Sequence, residues 1–80
     1  MRLDKFLKVS RLIKRRTVAN EACDNGRVML NGKVARASAP VHPGDVIEIS
    51  FGDRVTKAEV LAVEENVRKE SAAELFRYLT

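Results

Sequence analysis

The stretch MRLDKFLKVSRLIKRRTVANEACDNGRVMLNG, residues 1–32, decides the fold. Its first sixteen residues carry seven Lys or Arg (Arg2, Lys5, Lys8, Arg11, Lys14, Arg15 and Arg16) against a single acid, Asp4, a local charge of +6 in a chain of net charge +4. Leu3, Phe6, Leu7, Leu12 and Ile13 interleave with the cations. A disordered basic tail would lack such an apolar set, so a folded basic surface is indicated.

At about 100° per residue, Leu3, Phe6 and Leu7 share one helical face while Lys5 and Lys8 lie opposite. An unbroken helix would carry Leu12 in among the lysines, so the first helix is expected to end near Val9 or Ser10, whose short hydroxyl competes with helix bonding. Ser10 to Arg16 then forms a turn that projects Arg11, Lys14, Arg15 and Arg16. A second helix is expected from about Thr17, an acceptable cap. Its small apolar face is Val18, Ala19, Ala22 and Cys23, with Asn20, Glu21 and Asp24 pointing away, and Asn25-Gly26 stops it.

Outward from there, Arg27 to Leu30 alternates, Asn31-Gly32 follows, and Lys33 to Arg36 alternates again, a strong signal for a two-residue hairpin. Val28, Leu30 and Val34 are expected to face the helices, leaving Arg27 and Lys33 to extend the basic surface. Pro40 and Pro43 keep residues 37–43 out of a central strand. Pro43-Gly44-Asp45 reads as a turn, Val46–Phe51 as a strand, Gly52-Asp53-Arg54 as a second turn, and Val55–Val63 as a further strand with Lys57 and Glu59 outward. Ser71 to Glu74 matches a capping box, and Ala72, Leu75, Phe76 and Leu79 follow at helical spacing, so a short terminal helix is expected over about 71–79. The fold class is α+β: two short amino-terminal helices on a small curved antiparallel sheet, closed by a short carboxy-terminal helix.

Eighty residues, 45% hydrophobic and 32% charged, make one small globular domain, 1–80. No run approaches the roughly 18 apolar residues of a membrane span, and the start lacks a signal-peptide core, so a cytoplasmic protein with no membrane partner is expected. The single Cys23 excludes an internal disulfide and a Cys-rich zinc site. Residues 1–36 carry a net charge of +7 and residues 37–80 one of −3, as for a single face that meets a polyanion.

Arg2-Leu3-Asp4-Lys5-Phe6-Leu7, Ser10-Arg11, Lys14-Arg15-Arg16-Thr17, Ala19, Gly26-Arg27-Val28 and Asn31-Gly32 together resemble the S-four (alpha-L) RNA-binding domain, with a core motif over about 1–63. The small size and the opening MRLDKFLKVSRLIKRRT are most similar to the group within that family that serves bacterial ribosome-associated quality control. The heat-shock protein fifteen group is a more distant relative. The resemblance implies a monomeric, non-catalytic factor that binds rRNA of the free large ribosomal subunit and the P-site peptidyl-tRNA. There it would support template-free alanine tailing with an RqcH-like tailing factor. It also implies RNA contacts from Arg2, Lys5, Lys8, Arg11, Lys14, Arg15 and Arg16, with Arg27 and Lys33 in a second rank. The competing readings are an accessory RNA-binding subunit for an RNA-modifying enzyme and a heat-shock-type factor that recycles large subunits. A basic protein docking on anionic lipid would need a wide apolar face, and Leu3, Phe6 and Leu7 are required for the core.

Paired RNA is met mainly through its backbone and shape, which suits a rigid helix pair carrying closely spaced cations. Arg15 and Arg16 can each grip a phosphate with a planar fork. Asp4 either caps the first helix or orients Arg2, Arg11 or Arg16, with these structural roles favoured over a direct RNA contact. Phe6 belongs to the core by its spacing with Leu3 and Leu7, and Phe51 and Tyr78 lie outside the basic half, so no aromatic stacking platform is expected. Catalytic and metal-binding roles find no support. His42 is alone in a Pro-flanked loop, Cys23 is on the apolar helix face, and Glu64-Glu65 is an exposed acidic pair on a link, with no pocket around it. No cofactor is implied.

Overall fold

The computed structural model describes residues 1–79. Helix α1 (Leu3–Val9) and helix α2 (Arg16–Asp24) come first, followed by strands β1 (Val28–Leu30), β2 (Lys33–Val34), β3 (Val46–Phe51) and β4 (Arg54–Val60). A 3₁₀ helix (Lys69–Leu75) and strand β5 (Phe76–Tyr78) close the described chain. The five strands form one antiparallel sheet in the order β2-β1-β3-β4-β5. Leu3, Phe6 and Leu7 from α1 and Ala19, Ala22 and Cys23 from α2 share one core with Val28, Ile47, Ile49, Ala58 and Val60 of the sheet. Leu3, Phe6 and Leu7 have no exposed surface, and each such burial stabilises by about 1.5–3 kcal/mol.

The two helices end on related devices with different residues. After α2, Gly26 sits at φ +72° and its amide donates to Cys23, while the Arg27 amide donates to Ala22, the paired bonds of a Schellman ending. After α1, the residue in the left-handed position is Arg11, at φ +63°. Its amide donates to Lys8, and the Ile13 amide reaches back to Leu7. The first helix therefore ends at Val9, as its pattern requires, and Leu12 and Ile13 turn back onto the core. The start of α1 has no side-chain cap; the carbonyls of Ala39 and Ala37 accept from the Leu3 and Asp4 amides instead. Loop residues 37–41 are thus structural, and Ala37 and Val41 are buried.

Four expectations about local structure need correction. Helix α2 begins at Arg16, with Arg15 extended at the cap position, and Thr17 makes no cap bond. Val18 is 40% exposed because the helix turns Ala19, Ala22 and Cys23 inward and leaves Val18 at the margin. Val34 does not face the helices: with Asn31 at φ +53° and Gly32 at φ +82°, the two-residue turn pairs Met29 with Val34, placing Val34 on the outer side of the sheet from Val28 and Leu30. β4 stops at Val60 rather than Val63, because the Leu61 and Ala62 amides leave the ladder and donate to the Leu75 carbonyl.

The terminal helix is present but is 3₁₀ in type, starts at Lys69 and ends at Leu75. Phe76–Tyr78 pairs with Ala58–Val60 as a fifth strand. That pairing occupies the open edge of β4 and buries Phe76, whose ring meets Tyr78 edge-on at 5.0 Å. A final helical turn would have left the edge unpaired.

Candidate RNA-binding surface

Asp4 is the centre of the basic face. Helix α1 turns its carboxylate inward, so that the side chain is only 3% exposed. Oδ1 accepts from the Lys5 amide (2.8 Å) and from Arg2 Nε (3.2 Å); Oδ2 accepts from Asn20 Nδ2 (3.2 Å) and from Arg16 Nε (3.4 Å). Burial alone would raise the Asp4 carboxyl, but the Asn20 and Arg16 hydrogen bonds and the charges of Arg16 and Arg2 outweigh it and hold it below the ordinary carboxylate value. Asp4 fills both of its expected structural roles: it satisfies the Lys5 amide in the first turn of α1 and it holds Arg2 and Arg16. It also brings in Asn20, which the helical pattern had pointed away.

Both arginines meet Asp4 through Nε, the inner nitrogen, and both side chains remain about half exposed. Their terminal nitrogens are left for an outside acceptor in fork geometry. Arg2 and Arg16 line one hollow with Thr17, Asn20 and Glu21, and a second with Met1, Lys5, Ser38 and Pro40. The Arg2↔Pro40 bridge fixes the backbone that carries Arg2.

Lys8, Arg11 and Lys14 line a third hollow with Val9, Asn66 and Val67. Glu65 borders this hollow and also the one lined by Lys5, and its Oε1 lies 3.3 Å from Lys5 Nζ. Sequence position suggested no pocket around the acidic pair, yet Glu65 of that pair borders two hollows. The structure thus groups Arg2, Lys5 and Arg16, and separately Lys8, Arg11 and Lys14. Arg15 is exposed at the start of α2 and borders neither group's hollows. Arg27 lines a different hollow with Val18, Ala22, Asn25 and Phe51, and Lys33 stands exposed on edge strand β2. The signals for Asn20 and Glu65 were absent from the local pattern, because both act on groups distant in the chain.

Cys23 is buried, and burial, with Asp4 and Asp24 nearby, pushes its thiol up to about 11, so it is held protonated. His42 serves a turn: its amide donates to Asp45 Oδ2 (2.8 Å), and Asp45 Oδ1 accepts from Asn31 Nδ2 (3.0 Å). Among the described residues, no helix is long and apolar enough to cross a membrane.

Comparison with known proteins gives the surface a context. The S4 domain family profile matches residues 1–47. The chain is 49% identical to the RQC P-site tRNA stabilizing factor of Bacillus subtilis over 79 residues, covering 99% of this chain and 92% of that protein. It is 55% identical over 76 residues to the protein of the same name from Halalkalibacterium halodurans, covering 95% and 86%. At 31% identity it is similar to the heat shock protein 15 homolog of Aeromonas salmonicida, covering 94% of this chain and 57% of that one. Among solved structures, trimeric heat shock protein 15 of Vibrio cholerae superposes with a TM-score of 0.89 at 29% identity, covering 98% of this chain and 80% of that chain.

Proposed function

The chain belongs to the S4 domain family, and on that premise we propose that it is a non-catalytic RNA-binding factor of bacterial ribosome-associated quality control. It engages rRNA of the free large subunit and the P-site peptidyl-tRNA, and so supports alanine tailing of stalled nascent chains with an RqcH-like partner. It acts in the cytoplasm, where free subunits are. The observation that carries this reading is Asp4 holding Arg2 and Arg16 by their inner nitrogens at the edge of shared hollows. Arginines fixed in this way lose less freedom when they meet phosphate than solvated ones do. Lys5, Lys8, Arg11, Lys14 and Arg15 supply further backbone contacts, and Arg27 and Lys33 serve at the margins.

Backbone recognition is additive in charge and sensitive to salt. Arg16→Ala is expected to lower co-sedimentation with free large subunits while far-UV circular dichroism stays unchanged. The log–log salt slope of binding should become shallower by about 0.7–0.9. Equal co-sedimentation of variant and parent would refute the reading.

The heat-shock-type alternative, recycling of large subunits, is favoured by the fold match to the Vibrio cholerae protein. The two separate on tRNA. Large subunits carrying peptidyl-tRNA should bind more tightly than empty ones in the quality-control reading.

A further inference from the structure

We infer that Glu65 is a specificity-determining residue of the basic face, a carboxylate seated beside Lys5 that penalises an RNA in proportion to its reliance on that cation, and so disfavours a flexible single strand relative to a folded RNA held at many other points. The inference rests on the RNA-binding reading above and deepens it. Glu65 lies sixty residues from Lys5 in sequence, yet its Oε1 is 3.3 Å from Lys5 Nζ. It also borders both the hollow of Arg2, Lys5 and Arg16 and the hollow of Lys8, Arg11 and Lys14. One acidic side chain therefore stands at both groups of cations.

Its placement is built into the fold. The segment that carries it leaves β4 when the Leu61 and Ala62 amides donate to Leu75, and it is pinned by Ala62, Val63 and Val67 packing on the core. It re-enters regular structure where the Ser71 amide donates to Arg68. Between those anchors Glu65 is held towards α1, while its side chain stays 68% exposed and free to swing out. An ion pair this exposed is weak, which is what a displaceable occupant requires. A flexible polyanion, which binds by running its phosphates along whichever cations are open, loses the Lys5 contact or meets the Glu65 charge. A folded RNA fixed by many contacts at the other cations depends less on Lys5, so the penalty falls less on it, and the difference appears as selectivity.

The test compares full-length wild type, Glu65→Gln, Lys5→Ala and the double variant for binding to free large ribosomal subunits and to single-stranded poly(U), across a salt series. Glu65→Gln should tighten poly(U) binding roughly three-fold or more while subunit binding changes less, so that the preference for subunits narrows. Its poly(U) salt slope should steepen by up to about 0.7. Adding Lys5→Ala should remove most of the gain. An unchanged preference for Glu65→Gln overturns the inference, as does a gain that persists in full without Lys5. If wild type binds neither RNA, the functional reading itself falls, and that outcome is distinct from both.

Discussion

Arg11 and Gly26 hold equivalent places after the two helices, both at positive φ, and only one of them is glycine. A side chain in the left-handed region costs about 1 kcal/mol or more, and nothing in the helix ending requires arginine. Its retention points to the guanidinium, which borders the same hollow as Lys8 and Lys14. Arg11→Gly is therefore expected to stabilise the fold by about 0.5–1 kcal/mol, after allowing for glycine's greater freedom in the unfolded chain. The thermal midpoint should rise by a few degrees while binding to large subunits weakens. A midpoint that stays level or falls would remove the strain argument. Asp4 teaches the complementary lesson. Its sequence context left capping and orientation open; the carboxylate serves the first turn through the Lys5 amide, and the approach of Arg16 and Asn20 from α2 adds the second role.

Among the elements, the Asn31-Gly32 hairpin was legible in full as a turn, because both turn positions need positive φ and these two residue types accept it. Asn31 does more than turn. Its amide nitrogen donates to Asp45, its oxygen accepts from the Val46 amide at 2.9 Å, and its backbone amide donates to the Val46 carbonyl. The hairpin is thereby tied to the start of β3, which sets the register of the sheet's centre. Asn31→Ala should cost about 2–3 kcal/mol, from two lost side-chain bonds and left-handed strain, and lower the thermal midpoint by roughly 10 °C. Asn31→Gly, which keeps the turn and loses only the bonds, should cost less, as paired melting curves would reveal. The side assigned to Val34 was misread because that depends on which residues the turn pairs, not on alternation alone. The terminal segment was misread past Leu75 for a related reason. Phe76 stands at helical spacing with Ala72, Leu75 and Leu79 and also alternates with Tyr78, and the open edge of β4 favours the strand.

Across the molecule, charge is sorted so that Arg2 and Arg16 flank one buried carboxylate while Lys8, Arg11 and Lys14 gather at a separate hollow. Asp4 and Asp45 are both held below the ordinary carboxylate value of 3.8. For Asp45, burial would raise it, but the Asn31 hydrogen bond, the His42 amide and the His42 charge prevail. Because the folded state binds fewer protons than the unfolded chain there, stability from these groups is complete above pH 3.8 and is lost as the pH falls through that value towards the folded ones. Thermal midpoints measured from pH 7 downward should drop below about pH 4 on this account. Asp4→Asn should shrink that drop; an undiminished drop would mean that Asp4 contributes none of it.

The amino-acid sequence by itself determined the two helices, the break between them, the tight hairpin, the central strand and the concentration of cations in the first sixteen residues. These follow from local rules: side-chain periodicity, the left-handed tolerance of Asn and Gly, and the count of charges along a short segment. Tertiary structure alone decided that Arg2 and Arg16 meet at Asp4, that Lys5 faces Glu65, and that Phe76–Tyr78 completes the sheet. Each of those joins groups far apart in the chain or chooses between two locally equal conformations. Such choices are settled by which surfaces the packed core brings within hydrogen-bonding reach.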